Sequence, residues 1–440
     1  MSLFTKVTLQ NFRSFDNIEF NLTNKGNSPK HLAMIYGENG AGKSNLMSAF
    51  VLLNELLDTL NVRDLYETLL TKEAFVKNED LKKRLMDSFR DIKAIIDDCR
   101  MINNDNNIVV EYEFTIDSNT GKYYIEFDEE EIVHERLEYL LNKRRGVFFD
   151  CTPKNISINS GIFNDSDLFF DIKSYAKRFW GKHSLLAIVL HEMTDKSKTF
   201  GWDNLGKNFY DVIIEFTLLS SHLDIGTRSW NELNAPNEIF ENAIENRISK
   251  SNEEQLDIAE KIFTNFFTSI NSNIIRAYYK RTYDEKNVNY ELYLEKNISN
   301  SIRNIPFSKE STGNHQLIKF LCYILCACLG KTVVFDEADT GIHDILFKKI
   351  LVEVEPLITG QLIITTHNTM LMEEDFSKDS VYIIHEDSGR NVIKTINDYE
   401  KRTYANNNIR NKYLNNDYKG IPTIERIDFT SIIELLKKNL

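Results

Sequence analysis

Cysteine is scarce in this chain, with five residues in 440 and therefore an odd count. So few thiols in so long a polypeptide exclude a disulfide framework as the source of stability. Three of them, Cys322, Cys326 and Cys328, fall within LIKFLCYILCACLG. A metal site needs polar partners to orient its ligands, and that segment is too apolar to supply them, so it reads as a buried core helix filled with small thiols. Long hydrophobic runs are also missing: nothing approaches 18 uninterrupted apolar residues, which argues against a membrane-spanning helix. The opening MSLFTKVTLQNF lacks the regions of a signal peptide, so the expected location is the cytoplasm. Positive charge is in deficit, with 53 Lys and Arg against 66 Asp and Glu and a net charge of −13. Phosphate neutralisation needs a basic face, so broad wrapping by nucleic acid is disfavoured. The cluster Lys143, Arg144 and Arg145 reads as a solvated loop.

No internal repeat or low-complexity linker divides the chain. LFTKVTLQNFRSFDNIEFNL alternates apolar and polar residues in two runs around a turn, and HLAMIY supplies a third, buried strand. From Ser44 to about Arg100 apolar positions recur every three or four residues, a helical excursion spanning roughly 45 to 104. NNIVVEYEFTID and KYYIEFDEE return to a period of two and predict strands. Residues 135 to 280 contain AKRFWGKHSLLAIVLHEM, WNELNAPNEIFENAIENRI and LDIAEKIFTNFFTSINSNII, read as an inserted helical region. VNYELYLEKN resumes strands, followed by a helix from about Gln316, the strand KTVVFDE, a helix near 344 to 356 and the strand QLIITTH. The expected class is α/β: one split P-loop head whose halves are residues 1 to 134 and 281 to 440, with helical insertions between them.

Residues 37 to 44, GENGAGKS, satisfy the phosphate-loop pattern in the setting that gives it meaning, after a buried strand and before a helix. Glycines let backbone N–H groups turn inward around phosphate oxygens, and the helix N-terminus adds positive potential. Gly37, Asn39, Gly40, Ala41, Gly42, Lys43, Ser44 and Asn45 are the nucleotide-binding candidates. Lys43 would reach the β- and γ-phosphates of ATP, and the Ser44 hydroxyl would hold Mg²⁺. TVVFDE supplies an apolar strand ending in two carboxylates: Asp336 to hold Mg²⁺ through water and Glu337 to act as general base on the attacking water. QLIITTHN ends another apolar strand at His367, placed to donate to the γ-phosphate. ESTGNH, residues 310 to 315, opens a helix with Ser311 and Gly313. Such a cluster is both an anion site and an ordinary helix cap.

Phosphate loop, long insertion, Ser-Gly signature, acid pair and histidine, in that order, resemble the ATP-binding-cassette (ABC) head ATPases of the SMC and OLD type. The resemblance implies that the signature of one subunit caps the γ-phosphate held by another, so that Ser311 and Gly313 act in trans. NFRSFDNIEF resembles the SMC-type N-terminal strand pair, which implies that Arg13 lies near the nucleotide. DEADTGIH aligns with the family's stretch after the acid pair, making Asp339 and His343 candidates for the dimer seam. KYLNNDYKGIPTIERIDF is similar to a signature of bacterial AAA-type stand-alone ABC ATPases, a group that includes subunits of anti-phage abortive-infection systems such as AbiL and PARIS. It implies an ATPase switch in antiviral defence, a homo-oligomer through ATP-sandwiched heads, and a separately encoded toxin or nuclease as partner.

The sequence departs from the pattern at glutamine, present only at Gln10, Gln255, Gln316 and Gln361, with no convincing counterpart of the family's Mg²⁺-contacting residue. OLD proteins carry a metal-dependent nuclease site after the histidine, and no D-x-D follows His367 here. Asp165-Ser166-Asp167 has that spelling but reads as a loop, and the pair Arg178 and His183 has a spacing that arises easily by chance. Two other functions stay open: an SMC-like repair ATPase clamping nucleic acid, disfavoured by the short insertion and acidic charge, and a nuclease with an unrecognised site. Membrane transport has no support.

Overall fold

The runs LAMIY, TVVF and QLIIT are buried at every position, which requires cover on both faces and hence a parallel sheet between layers. In the computed structural model, which describes residues 2–70, 90–195, 202–226, 228–373, 376–399, 408–422 and 427–437, these runs lie at the centre of a seven-stranded sheet. Its order is Arg228–Glu232, Ser220–Ile225, Thr332–Phe335, Gln361–Thr365, Leu32–Tyr36, Val381–Asp387 and Arg390–Thr395. The five inner strands are parallel and the two outer ones antiparallel. Alternate side chains serve two cores: Ala33, Ile35, Val334 and Ile363 point to one, Met34, Tyr36, Val333 and Phe335 to the other.

The first core is closed by a second seven-stranded sheet, entirely antiparallel, in the order Phe15–Asn21, Ser2–Phe12, Ile108–Ile116, Asn119–Phe127, Ile132–Leu141, Arg144–Thr152 and Asn155–Ile158. Ile108, Val110, Tyr112, Phe114 and Ile116 face inward in strict alternation. Between the two sheets runs the helix Lys43–Leu70, with Leu46, Met47, Phe50, Val51, Leu52, Leu53, Leu56 and Leu57 all buried. Its first half is enclosed and apolar, whereas Asp58 and Leu65 further along are exposed, and each buried apolar side chain contributes about 1.5–3 kcal/mol. The two sheets are pinned together at Gln361, fully buried, whose amide accepts from Phe4 N–H at 3.0 Å and donates to the carbonyls of Phe4 and Lys30, each at 2.9 Å.

A third unit pairs the strands Glu245–Ser249, Ile274–Tyr283 and Ser301–Pro306 with Asn287–Ile298 and covers them with the helix Glu254–Ile270. Its core, including Phe263, Phe267 and Leu292, continues into Ile318, Leu321 and Cys322 of the helix Thr312–Cys328. All five cysteines are free; Cys322 and Cys326 are buried in that helix, as the apolar setting predicts.

The stretch 135 to 280, read as helical, is mixed. The helices Ser166–Phe179, Leu185–Asp195, Lys207–Thr217 and Glu254–Ile270 are present, but Ser220–Ile225 joins the parallel sheet and WNELNAPNEIFENAIENRI forms strands around the four-residue helix Glu238–Glu241. Its apolar spacing mimics a helix, whereas those side chains pack into separate cores from short strands, one helical turn and the loops between them. Within 45 to 104, Lys43–Leu70 and Ile92–Cys99 are helical, and residues 71–89 lie outside the described residues. In the C-terminal signature stretch, Tyr413 packs edge-on against Tyr36 at 5.8 Å and covers the outer face of the phosphate-loop strand; residues 423–426 lie outside the described residues.

Candidate functional site

In a parallel sheet the carboxyl ends of the strands open onto one edge, where loops are free to bind ligands. Leu32–Tyr36 runs there into Gly37, Thr332–Phe335 into Asp336 and Glu337, and Gln361–Thr365 into Thr366 and His367. The phosphate loop is braced from behind by residues distant in sequence. Asn45 Nδ2 donates to Ser14 Oγ at 2.8 Å, and Asn391 Nδ2 donates to the Ala41 carbonyl at 3.0 Å. Gly42 is at φ +99° with the Phe15 ring 2.7 Å from where a Cβ would stand, so only glycine fits. Asn39 and Gly40 form the exposed tip.

Lys43 Nζ curls back to the carbonyls of Gly37 at 2.9 Å and Glu38 at 3.1 Å. Burial pushes its ammonium below the ordinary range, against the pull of Asp336, Glu337, Glu38 and Asp339. Asp336 is buried; burial raises its carboxyl above the usual range, while hydrogen bonds from Ser44 and Thr365 oppose the rise. Glu337, next in sequence, is exposed and sits at φ +48°. His367 is exposed too, and its backbone N–H is directed at the Asp339 carboxylate at 3.3 and 3.4 Å. Burial and the nearby Lys43 cation lower the His367 imidazole below its ordinary value, which favours the neutral ring at pH 7.

Ser311 caps the helix Thr312–Cys328, its Oγ accepting from Asn314 N–H at 3.3 Å. The loop before it is held by Glu310, which takes Lys296 Nζ at 2.6 Å and Asn314 Nδ2 at 2.8 Å. A Cβ on Gly313 would lie 2.9 Å from the Gly341 carbonyl, so this turn packs directly on the DEADTGIH loop of the same chain. His343 in that loop is exposed and caps the helix Asp344–Val354, Nδ1 accepting from Ile345 N–H at 3.3 Å. Arg13, at φ +52° in the turn before Ser14, pairs with Asp98 at 3.4 Å, and among the described residues its buried Nε meets no partner. Arg90 at 3.1 Å and Arg228 at 2.5 Å converge on the same Asp98 carboxylate.

A family model described as "AAA domain, putative AbiEii toxin, Type IV TA system" matches residues 32–373, well over half of the chain. The chain belongs to this family. Solved structures similar to this AAA-family chain include the SMC head domain from Thermotoga maritima, at 14% identity and TM-score 0.39, covering 89% of this chain and 98% of that one. The Smc head domain with an extended coiled coil from Pyrococcus furiosus, bound to the C-terminal domain of ScpA, matches at 14% identity and TM-score 0.42 over 91% and 98% of the two chains. The recombination mediator RecF matches at 12% identity and TM-score 0.36 over 90% and 98%. These likenesses concern the fold alone. No curated protein matches the sequence.

None of the four glutamines ends a strand at the candidate site's edge of the sheet, although Gln316 lies beside Gly341. Gln10 is exposed in the first strand, Gln255 and Gln316 lie on helices, and Gln361 sits at the opposite, amino end of its strand. The strand Ser220–Ile225, parallel to Thr332–Phe335, ends instead in Gly226. Asp165 caps the helix Ser166–Phe179 by accepting from Leu168 N–H at 2.7 Å, and Arg178 stacks on the Phe179 ring at 5.0 Å. His183 is buried and pushed down to about 4, first by burial and then by Arg63. Among the described residues no group of three His, Cys, Asp or Glu is arranged to hold a metal. The residue that sequence reasoning missed is Thr365, wholly buried between the two strand ends. Its only signal was polarity at the end of an apolar run.

Proposed function

We propose that this family member binds and hydrolyses ATP, and that nucleotide-dependent association of its heads holds or releases a separately encoded toxin or nuclease in prokaryotic antiviral defence. The observation that carries the ATPase reading is convergence. Lys43, Asp336, Glu337, Asp339 and His367 come from three parallel strands to one edge, close enough for the carboxylates to act on the Lys43 and His367 charges. The Ser44 hydroxyl and the Asp336 carboxylate interact across this edge, a hard oxygen pair that suits Mg²⁺. When bound there, Mg²⁺ would offset the negative charge of the β- and γ-phosphates.

In this reading the loop N–H groups cradle the phosphates and Lys43 turns from its own carbonyls to the β- and γ-phosphate oxygens. Glu337, exposed where Asp336 is buried, takes a proton from the attacking water as that water's oxygen bonds to the γ-phosphorus and the bond to the ADP oxygen breaks. Neutral His367 donates to a γ-phosphate oxygen. Ser311 and Gly313 stand on a separate helix start, suited to meet the nucleotide of a second copy, with Asp339 and His343 at the seam and Arg13 near the bound nucleotide. Because Gly313 packs on Gly341, signature and acid-pair loop would move as a unit on head association. No described helix is long and apolar enough to cross a membrane, and the cytoplasm is the proposed setting.

Light scattering of the chain co-expressed with its gene neighbour tests this. Glu337→Gln should trap an ATP-dependent assembly that retains or expels the neighbour, and Lys43→Ala should abolish it. A chain indifferent to ATP in all three forms refutes the switch.

A further inference from the structure

We infer that Thr365 is a positioning residue for hydrolysis, its one hydroxyl setting both acids of the pair Asp336 and Glu337 at once. The inference rests on the ATPase reading above. Thr365 Oγ1 donates to Asp336 Oδ1 and accepts the Glu337 backbone N–H at 2.7 Å. A hydroxyl carries one proton and two lone pairs, so a single threonine satisfies both bonds. Thr365 is fully buried, so water does not compete for either. The main chain adds a third tie, Ala338 N–H to the Thr365 carbonyl at 3.0 Å.

Consecutive residues of a strand point to opposite faces, and two adjacent carboxylates on a continuing strand would serve different sites. For both to reach one phosphate group the chain must leave strand geometry at Glu337. It does so at φ +48°, a left-handed conformation that residues other than glycine, asparagine and aspartate seldom hold. Glutamate lacks the short side chain by which asparagine and aspartate stabilise it on their own backbone. The bonds that hold it come from either side: the N–H to Thr365, the carbonyl accepting from Thr340 N–H at 3.0 Å, and Oε2 accepting from Thr340 Oγ1 at 3.3 Å. Thr366 is no substitute, since its hydroxyl accepts from Asn368 N–H at 3.0 Å. The strand that ends in Thr365 leads into His367, whose N–H reaches Asp339, so the acid-pair turn and the end of the histidine strand are fastened at two points. The Thr365 hydroxyl bonds the acid pair rather than the phosphate loop, which meets this arrangement through Ser44 on Asp336. Loss of the hydroxyl should therefore disturb base and Asp336 while leaving nucleotide binding intact.

The test compares full-length wild type, Thr365→Val and Thr365→Ser in ATP binding by calorimetry, steady-state hydrolysis and Mg²⁺ dependence, with urea unfolding midpoints to verify the fold. Thr365→Val should bind ATP within about threefold of wild type and lose about a hundredfold in kcat, the scale of a 1 Å misplacement. It should also need several times more Mg²⁺ for half-maximal rate, and Thr365→Ser should restore wild-type behaviour. If valine does not fold, Thr365→Ala carries the same expectation against the serine variant. Wild-type turnover and Mg²⁺ dependence in the hydroxyl-free variant overturn the inference alone, as does a folded serine variant as damaged as valine. A wild-type chain that binds ATP but never hydrolyses it overturns the ATPase reading instead, and the inference with it.

Discussion

Replacing Glu135 by glutamine should remove a pH dependence that the wild-type fold carries between pH 5 and pH 8. Glu135 is fully buried on the strand Ile132–Leu141, beneath the start of the helix Leu185–Asp195. Its Oε2 accepts from Leu185 N–H at 2.7 Å and Trp180 Nε1 at 2.8 Å, and its Oε1 accepts from the Tyr123 hydroxyl at 3.0 Å. Burial outweighs these donors and raises the carboxyl from 4.5 to about 7. The folded state thus binds the proton more tightly than the unfolded chain. That contribution to stability is fully present below pH 4.5 and is lost as pH rises through about 7. A shift of about 2.5 pH units at 1.36 kcal/mol each corresponds to about 3 kcal/mol. Glutamine has the same shape and no charge: its amide oxygen keeps Leu185 and Trp180, and its NH₂ finds the Tyr123 hydroxyl as acceptor. Urea unfolding followed by tryptophan fluorescence at pH 5, 6, 7 and 8 measures the difference, since Trp180 reports this unit directly. The gap between the two proteins should move in the variant's favour by about 3 kcal/mol over that range, other groups cancelling. Curves that stay parallel, or a gap that moves the other way, refute the reasoning.

Gln361→Leu keeps the volume of that side chain but strips the partners from Phe4 N–H and the carbonyls of Phe4 and Lys30. At about 1–3 kcal/mol per buried unsatisfied group, unfolding free energy should fall by about 3 kcal/mol or more, read from denaturant midpoints. Gly313→Ala drives a Cβ to within 2.9 Å of the Gly341 carbonyl and must displace the loop that carries Asp339 and His343. Sizing should find the ATP-dependent assembly weakened at least about tenfold while ATP binding by the single chain is retained, since the phosphate loop is untouched.

What the sequence made legible is what is written in adjacent residues. GENGAGKS fixes its own loop through glycine conformations and the following helix, and the buried runs LAMIY, TVVF and QLIIT declare a sheet covered on both faces. The strand Ser220–Ile225 stayed hidden because a short buried run amid helices has no period of its own, and only its place beside Thr332–Phe335 makes it a strand of this sheet. Ser14, Phe15 and Asn391 brace the phosphate loop from opposite ends of the chain, brought there by the order of strands, which no local pattern records.

The acid pair marks the limit most sharply. Read locally, Asp336 and Glu337 on a continuing strand face opposite ways, and no glycine at 337 announces the turn that aligns them. The turn is imposed by a threonine 28 residues further on, in a neighbouring strand where Thr is simply a good strand former. The chemistry-bearing pair is therefore local in sequence, while its competence is a tertiary property. It follows that substitutions on the strand Gln361–Thr365 should alter hydrolysis without entering either motif.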